Sequence, residues 1–133
     1  MRLHDLYEQY SDRVQFLSIY IREAHPIDGW HFGWFSKLIM RLGGYRTQEA
    51  YDPKTIEERR AIAGQCETSL AYGIRTYVDE INNAVNKAYA AHPTRLYLIG
   101  LDGRVVYAGG LGPWGFSPDE LKNAIVNYLV TIS

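Results

Sequence analysis

His25 is the best candidate for proton transfer in this sequence. It follows an apolar stretch that ends at Ile21 and stands in a loop rich in aromatic and polar residues. Because a free imidazole titrates at a pKa of about 6.5, a histidine there can give or take a proton near neutral pH. Glu23, two residues earlier, projects to the same side if the strand persists and can then orient the imidazole. The alternatives are a loop histidine that bonds the backbone and a solvated glutamate at a strand end.

Arg95 and Asp79 are the charged candidates for substrate binding. Arg95 opens a predicted strand close to Pro93, where a guanidinium can hold a carboxylate or a phenolate through two parallel hydrogen bonds. Asp79 stands between a predicted strand and a predicted helix, which is also the ordinary position of a helix N-cap. Its position therefore leaves both a binding role and a structural role open.

Cys66 is the only thiol of the chain. It lies near the end of a predicted helix, and no base or helix N-terminus stands beside it to favour the thiolate. We therefore interpret it as a structural cysteine. A single cysteine also excludes an internal disulfide, a two-cysteine redox motif and a thiolate-only metal cage.

Residues 110–115 fit the spacing G-x-G-x-x-G of dinucleotide-binding turns. Pro113 and Trp114 would block the approach of a pyrophosphate, and Ser117 already caps the following helix. We interpret the segment as a tight connection that packs Trp114 and Phe116 against the core.

The histidines of the central loop do not predict a metal site. His25, Asp28 and His31 are close together in the sequence, but their spacing fits no strong ligand template. We therefore predict no metal and no other cofactor.

The composition describes a single folded domain over residues 1–133. Of these residues, 47% are hydrophobic and 22% are charged, which is enough for one core and excludes a disordered chain. A formal net charge of −1 gives no attraction for nucleic acid or for an anionic membrane. The most apolar run, residues 14–21, is about a third of a membrane span, and no signal sequence opens the chain. We expect a cytoplasmic protein.

Hydrophobic periodicity predicts alternating helices and strands around one long loop at residues 23–52. Thr55 and Glu58 predict a capping box, and Ser117 followed by Pro118 predicts the start of the last helix. The predicted helices cover residues 3–13, 55–68, 79–89 and 117–132, and the predicted strands cover 14–21, 72–78, 95–100 and 104–108.

This order of elements predicts an α/β fold with a mixed sheet. Pro93 directly precedes a strand that continues into a hairpin. The arrangement is similar to the thioredoxin fold, in which a cis-proline occupies this junction beside the redox centre. The alternative is that Pro93 only ends the preceding helix.

Three stretches of the sequence resemble the iodothyronine deiodinase family, and more closely its bacterial members. They are residues 19–30, which include the motif HPIDGW, residues 78–97, and residues 103–114, which end in GGLGPW. Their order and spacing fit, and the resemblance covers nearly the whole chain from Leu3. It implies a thioredoxin-like fold, related to the peroxiredoxins, and a reductive chemistry based on a thiol or a selenol.

The resemblance also implies roles for individual residues. His25 matches a histidine that is implicated in protonating or holding the substrate, and Glu23 accompanies it. Arg95 matches an arginine that clamps the substrate, and Asp79 matches an acidic position of the same clamp. Trp30 lies in the same stretch as His25 and is expected to contact the substrate.

The nucleophile of the family is missing from this sequence. In the family a selenocysteine or cysteine ends a strand that precedes the first helix, whereas this sequence begins at that helix. That strand is central in a thioredoxin-like sheet, between the counterparts of residues 14–21 and 95–100. Without it we expect two half-sheets with unpaired edges and no shared hydrogen bonds. We favour a truncated amino-terminus; the alternatives are a strand supplied by a partner, such as a second copy in a homodimer, and a re-paired fold.

These observations predict an oxidoreductase that acts on a small molecule. A thiolate or selenolate would take a halogen from a halo-aromatic substrate or an oxygen from a peroxide, while His25 supplies a proton and Arg95 holds an anionic group. Small thiols or a thioredoxin-like donor would then regenerate the enzyme. The alternative is a redox-inactive binding module that keeps the fold and the pocket. No nucleic-acid or membrane partner is expected.

Overall fold

The computed structural model describes residues 1–22, 53–70 and 73–133, with the backbone alone for residues 66–70. Helices and strands alternate along these residues, so the mixed α/β class predicted from the sequence is confirmed. The elements are α1 (Leu3–Tyr10), β1 (Leu17–Tyr20), α2 (Ile56–Leu70), β2 (Arg75–Val78), α3 (Ala84–Tyr89), β3 (Tyr97–Ile99), β4 (Val105–Ala108) and α4 (Pro118–Ile132).

The strands form two separate pairs. β1 and β2 are parallel, with Tyr20 opposite Val78. β3 and β4 are antiparallel, with Tyr97 opposite Ala108. Within the described residues no backbone ladder joins one pair to the other, so this part of the chain has the two half-sheets that the sequence led us to expect.

The burial of β1 differs from the prediction. A strand that is apolar nearly throughout is expected to be covered on both faces, yet Leu17 is 54% exposed and Ile19 is 42% exposed. In the register of the pair these two residues share a face with Tyr77, which is also exposed. α2 contacts the pair through β2, and the alternate residues of β2 are half-buried. Within the described residues, one face of the parallel pair is therefore uncovered.

The buried core lies where α1 and α4 meet the β3–β4 pair. Leu6 of α1, Leu98 of β3, and Leu121 and Ile125 of α4 form one cluster. Leu121 and Ile125 are four residues apart, so a single stripe of α4 carries its buried side chains. Among the described residues, no helix is long and apolar enough to cross a membrane.

A polar contact links β4 to α4 at the edge of this core. The hydroxyl of Tyr107 donates to Oε2 of Glu120 at 3.1 Å. Burial raises the pKa of Tyr107, and the hydrogen bond to the Glu120 carboxylate raises it further. Both effects favour the protonated hydroxyl, which is the form that can donate.

Two helices begin where the sequence predicts. The amide of Glu58 donates to Oγ1 of Thr55 at 3.2 Å, and the amide of Thr55 donates back to Oε2 of Glu58 at 3.3 Å, so the predicted capping box precedes α2. At the start of α4 the amide of Glu120 donates to Oγ of Ser117 at 3.3 Å. Each side chain satisfies an amide that has no partner within its own helix.

We expect Leu6→Ala to destabilise the protein by about 2–5 kcal/mol, because it leaves a cavity in the core cluster. Leu6 has no exposed surface, and the free energy of unfolding would be measured by urea denaturation. The control is Val130→Ala, at a side chain that is 70% exposed, which should change that free energy by less than about 0.5 kcal/mol. Equal losses for the two variants would contradict this assignment of the core.

Candidate functional site

The carboxyl ends of β1 and β2 lie side by side. Tyr20 is opposite Val78, and the amide of Asp79 continues the pairing by donating to the carbonyl of Tyr20 at 2.9 Å. In open α/β sheets, ligands bind beyond the carboxyl ends of the strands. A ligand-binding site is therefore expected at this edge.

Several predicted site residues fall outside the described residues. These are Glu23, His25 and Trp30, together with Asp28 and His31 of the rejected metal pattern. Their roles stay predictions. Among the residues that the structure does describe, no group of three His, Cys, Asp or Glu residues could hold a metal ion.

Asp79 is buried, with 1% of its surface exposed. Its Oδ1 accepts hydrogen bonds from the amides of Glu80 at 2.8 Å and Val85 at 2.9 Å, and its Oδ2 accepts one from the amide of Asn86 at 2.9 Å. Because Val85 and Asn86 lie in the first turn of α3, the carboxylate caps that helix from outside it. The geometry supports the structural role that the sequence left open, and the substrate-binding role of Asp79 stays a prediction.

Arg59 is a buried cation that the sequence analysis did not single out. Its side chain is 2% exposed. Nη1 donates to the carbonyl of Asp79 at 3.3 Å and to that of Glu80 at 2.5 Å, and Nη2 donates to Oδ1 of Asn83 at 2.9 Å. These bonds fix the corner between β2 and α3 to α2. The signal in the sequence is helical spacing, because Arg59 lies four residues before the buried Ala63 and so shares its stripe.

Arg95 lies half-buried between Pro93 and β3, and the peptide bond from His92 to Pro93 is cis, the isomer that the thioredoxin-like resemblance implies. Nε of Arg95 donates to the carbonyl of Gly109 at 2.6 Å, and Nη1 donates to the carbonyl of Ala90 at 3.4 Å. Nη2 has no hydrogen-bond partner among the described residues. The guanidinium is thus held by two carbonyls and keeps donors for an anion.

An aromatic pair supports the guanidinium from one side. The central carbon of the Arg95 guanidinium lies 5.3 Å from the centre of the Tyr97 ring, within the range of a cation–π contact. Tyr97 meets Tyr89 edge to face, with ring centres 4.9 Å apart, and its hydroxyl donates to the carbonyl of Tyr89. The end of α3 therefore determines where the Tyr97 ring lies.

Residues 109–116, which we call the glycine turn, continue the pairing of the β3–β4 hairpin. The amide of Gly109 donates to the carbonyl of Leu96 at 2.8 Å, and the amide of Gly112 donates to that of Thr94 at 2.9 Å. The base of the turn is closed, because a Cβ added to Gly115 would stand 2.5 Å from the carbonyl carbon of Gly110. Only glycine permits so close an approach of the two backbone segments.

The prediction that Trp114 packs against the core is wrong. The indole is 97% exposed, whereas Phe116 is half-buried as expected. The closed base explains the difference, since the contact between Gly110 and Gly115 leaves residues 111–114 to form the tip of the turn. Leu111 of this tip is 48% exposed.

The model of the family described as iodothyronine deiodinase matches residues 1–129. This chain belongs to the iodothyronine deiodinase family. The family resemblance inferred from the sequence is thereby confirmed.

Thyroxine 5-deiodinases of vertebrates are among the similar proteins. That of Aquarana catesbeiana is 40% identical over 119 residues, which are 88% of this chain and 39% of that protein. Those of Sparus aurata and Homo sapiens are 37% and 32% identical and cover 90% and 92% of this chain, or 40% and 36% of the relative. This deiodinase-family chain therefore spans about two fifths of the length of these relatives. Their vertebrate origin gives no support to the closer resemblance to bacterial members.

We expect Asp79→Asn to lower the free energy of unfolding by about 1–3 kcal/mol, because an amide group in place of one oxygen faces backbone N–H donors that it cannot satisfy. Asp12→Asn, which makes the same change at an exposed carboxylate, is the control and should cost less than about 0.5 kcal/mol. Thermal and urea denaturation would measure both. A loss at Asp79 no larger than that at Asp12 would show that the cap does not stabilise α3.

Proposed function

We propose that this chain is the substrate-binding part of a thiol- or selenol-dependent reductase that removes halogen from an anionic halo-aromatic compound. The observation that carries the proposal is the family match over residues 1–129, since the relatives bear the name thyroxine 5-deiodinase. We place the activity in the cytoplasm, where small thiols can serve as the reductant.

The described strands support a thioredoxin-like sheet in this proposal. The β1–β2 and β3–β4 pairs share no hydrogen bonds within the described residues, so a strand placed between them could pair with both. We place one further strand between β1 and β3, carried together with the nucleophile by a segment outside this sequence. A second copy of the chain is the alternative source of that strand, and a stable monomer in dilute solution would exclude it.

The proposed reaction has two stages. First, the thiolate or selenolate attacks the halogen, the carbon–halogen bond breaks, and the ring carbon takes a proton that His25 supplies. Next, one thiol displaces halide from the halogenated nucleophile and forms a mixed disulfide or a selenenyl sulfide. A second thiol then reduces this bond and restores the enzyme. The halo-aromatic compound and two thiols thus yield the dehalogenated ring, hydrogen halide and a disulfide.

Arg95 supports the choice of an anionic substrate. Its guanidinium is held by the carbonyls of Gly109 and Ala90, so the donors of Nη2 have a defined direction before any ligand binds. A fork held in this way matches the two oxygens of a carboxylate. A neutral peroxide offers no such group, and the described residues therefore give peroxide reduction less support than dehalogenation.

We expect Arg95→Lys to weaken the binding of iodinated benzoates about tenfold or more, because the forked donor geometry is lost while the charge remains. The melting temperature should change little, since an ammonium can still donate to the carbonyl of Gly109. Calorimetric titration would give the affinities, and Arg104→Lys, the same change at an exposed hairpin residue, is the control. Equal affinities for the wild type and Arg95→Lys would exclude the clamp.

The nucleophile is tested on the protein expressed from the reading frame that continues upstream of Met1. We expect that frame to encode a strand ending in cysteine or selenocysteine, and the resulting protein to release iodide from an iodinated benzoate when dithiothreitol is added. Replacing the upstream nucleophile by serine should abolish the release. An authentic stop codon followed by a ribosome-binding site would contradict the proposal.

Cys66→Ser in that longer protein should leave iodide release largely intact. Cys66 is the only cysteine of this sequence and belongs to α2, away from the start of the helix, where no helix N-terminus favours its thiolate. Loss of turnover in a variant that still shows the wild-type melting temperature would mean that Cys66 is itself the nucleophile.

The position of Cys66 also favours a second candidate function, a redox-inactive binding module. In that case the chain would bind aromatic carboxylates through Arg95, and no upstream extension would confer thiol-dependent turnover. The binding and turnover measurements above distinguish the two functions.

A further inference from the structure

We infer that the tip of the glycine turn is the ring-binding surface of the substrate site, with Leu111 and Trp114 contacting the halogenated aromatic ring of a substrate whose carboxylate binds Arg95. This inference rests on the proposed function, because it assumes that Arg95 binds the anionic group. It assigns Leu111 and Trp114 as residues that determine specificity, a role that neither carries through charge or through packing in the core.

Trp114 contributes nothing to the folded core. Its side chain is 97% exposed and that of Leu111 is 48% exposed. Tryptophan offers a large, rigid contact area that loses little conformational entropy on binding, and it is enriched where proteins recognise ligands and partners. An indole presented in this way is suited to contact with another apolar group.

The turn is built to hold that tip in place. A Cβ added to Gly112 would stand 2.3 Å from Cγ2 of Thr94, and one added to Gly110 would stand 2.9 Å from Cα of Gly115. The amide of Gly115 also donates to the carbonyl of Leu111 at 2.8 Å. Because these contacts exist before any ligand binds, little ordering of the backbone opposes binding at the tip.

The turn and the arginine form one hydrogen-bonded unit. Nε of Arg95 donates to the carbonyl of Gly109, the first residue of the turn, at 2.6 Å. The residue before Arg95, Thr94, accepts the amide of Gly112 at 2.9 Å. A fixed cation and an exposed apolar tip are therefore joined through a short stretch of paired backbone.

That combination fits the class of ligand that the proposed function gives. A carboxylate would take the Arg95 donors that have no partner among the described residues, and a flat, polarisable ring bearing halogen would cover the apolar side chains of Leu111 and Trp114. An anion without a ring would contact Arg95 and not the side chains of Leu111 and Trp114. The inference is thus specific for halogenated aromatic carboxylates rather than for anions in general.

Trp114 itself provides the probe. Its emission is obtained as the difference between the wild type and Trp114→Phe, which keeps the other two of the three tryptophans, while 3,5-diiodo-4-hydroxybenzoate is titrated. Iodine quenches an indole that it touches, so we expect saturable quenching. Cyclohexanecarboxylate, which carries the anion without an aromatic ring or iodine, should leave the emission unchanged. Quenching that rises linearly without saturation would overturn the inference, because it indicates random collisions only.

Calorimetry on single variants provides the second measurement. Trp114→Ala should weaken 3,5-diiodo-4-hydroxybenzoate about tenfold and leave acetate, which carries the anion without a ring, unchanged. Leu101→Ala, which removes an apolar side chain that is 85% exposed on the hairpin turn, is the matched control and should change neither affinity.

The outcomes separate this inference from the function on which it rests. Binding that Arg95→Lys weakens and Trp114→Ala does not would overturn the ring-binding surface and leave the anion clamp standing. Binding that neither variant affects, or no binding by the wild type, would overturn both. A loss at Trp114→Ala that is equal for the two ligands would also overturn the inference, because it would show a general disturbance of the turn.

Discussion

The requirement that every strand pair its backbone groups determines how this chain is organised. β1 finds a partner in β2 and β3 finds one in β4, but within the described residues each pair stops at two strands. Two-stranded sheets are marginally stable on their own, so each depends on the helix beside it. α4 packs on β3 and β4, and α2 packs on β2, which leaves apolar side chains of β1 in solvent. In the proposed thioredoxin-like sheet, a further strand between the two pairs would complete their unpaired edges.

Short-range features of this fold follow from the sequence, and long-range ones do so only in part. Thr55, Glu58 and Ser117 predict their helix starts because capping involves residues three apart in the chain. The exposure of Trp114 could not be predicted, since it depends on the contact between Gly110 and Gly115 and not on the apolar character of the indole. The hydrogen bonds of Arg59 could not be predicted for the same reason. Its partners are backbone carbonyls about twenty residues away, and charge patterns do not reveal such partners.

Of the predicted site, the structure brings Arg95 and cis-Pro93 together and gives the guanidinium two fixed carbonyl partners. It assigns the Asp79 carboxylate to the amides that precede and open α3. Asp79 and Arg59 are oppositely charged, buried and close in the fold, and the bonds described for each are to backbone groups or to an amide side chain. These bonds join α2 to the corner between β2 and α3, while Nε of Arg59 is buried without a hydrogen-bond partner among the described residues. That corner lies beside the end of β1, because the amide of Asp79 donates to the carbonyl of Tyr20.

The hydrogen bond from Arg95 to Gly109 has a mechanical consequence. The carbonyl that orients the guanidinium belongs to the same short backbone arc as the glycines of the turn. A methyl group introduced at position 112 would stand 2.3 Å from Cγ2 of Thr94, so the residue before Arg95 would have to shift. The position of the Arg95 guanidinium therefore depends on the backbone conformation of the glycine turn as well as on its own side chain.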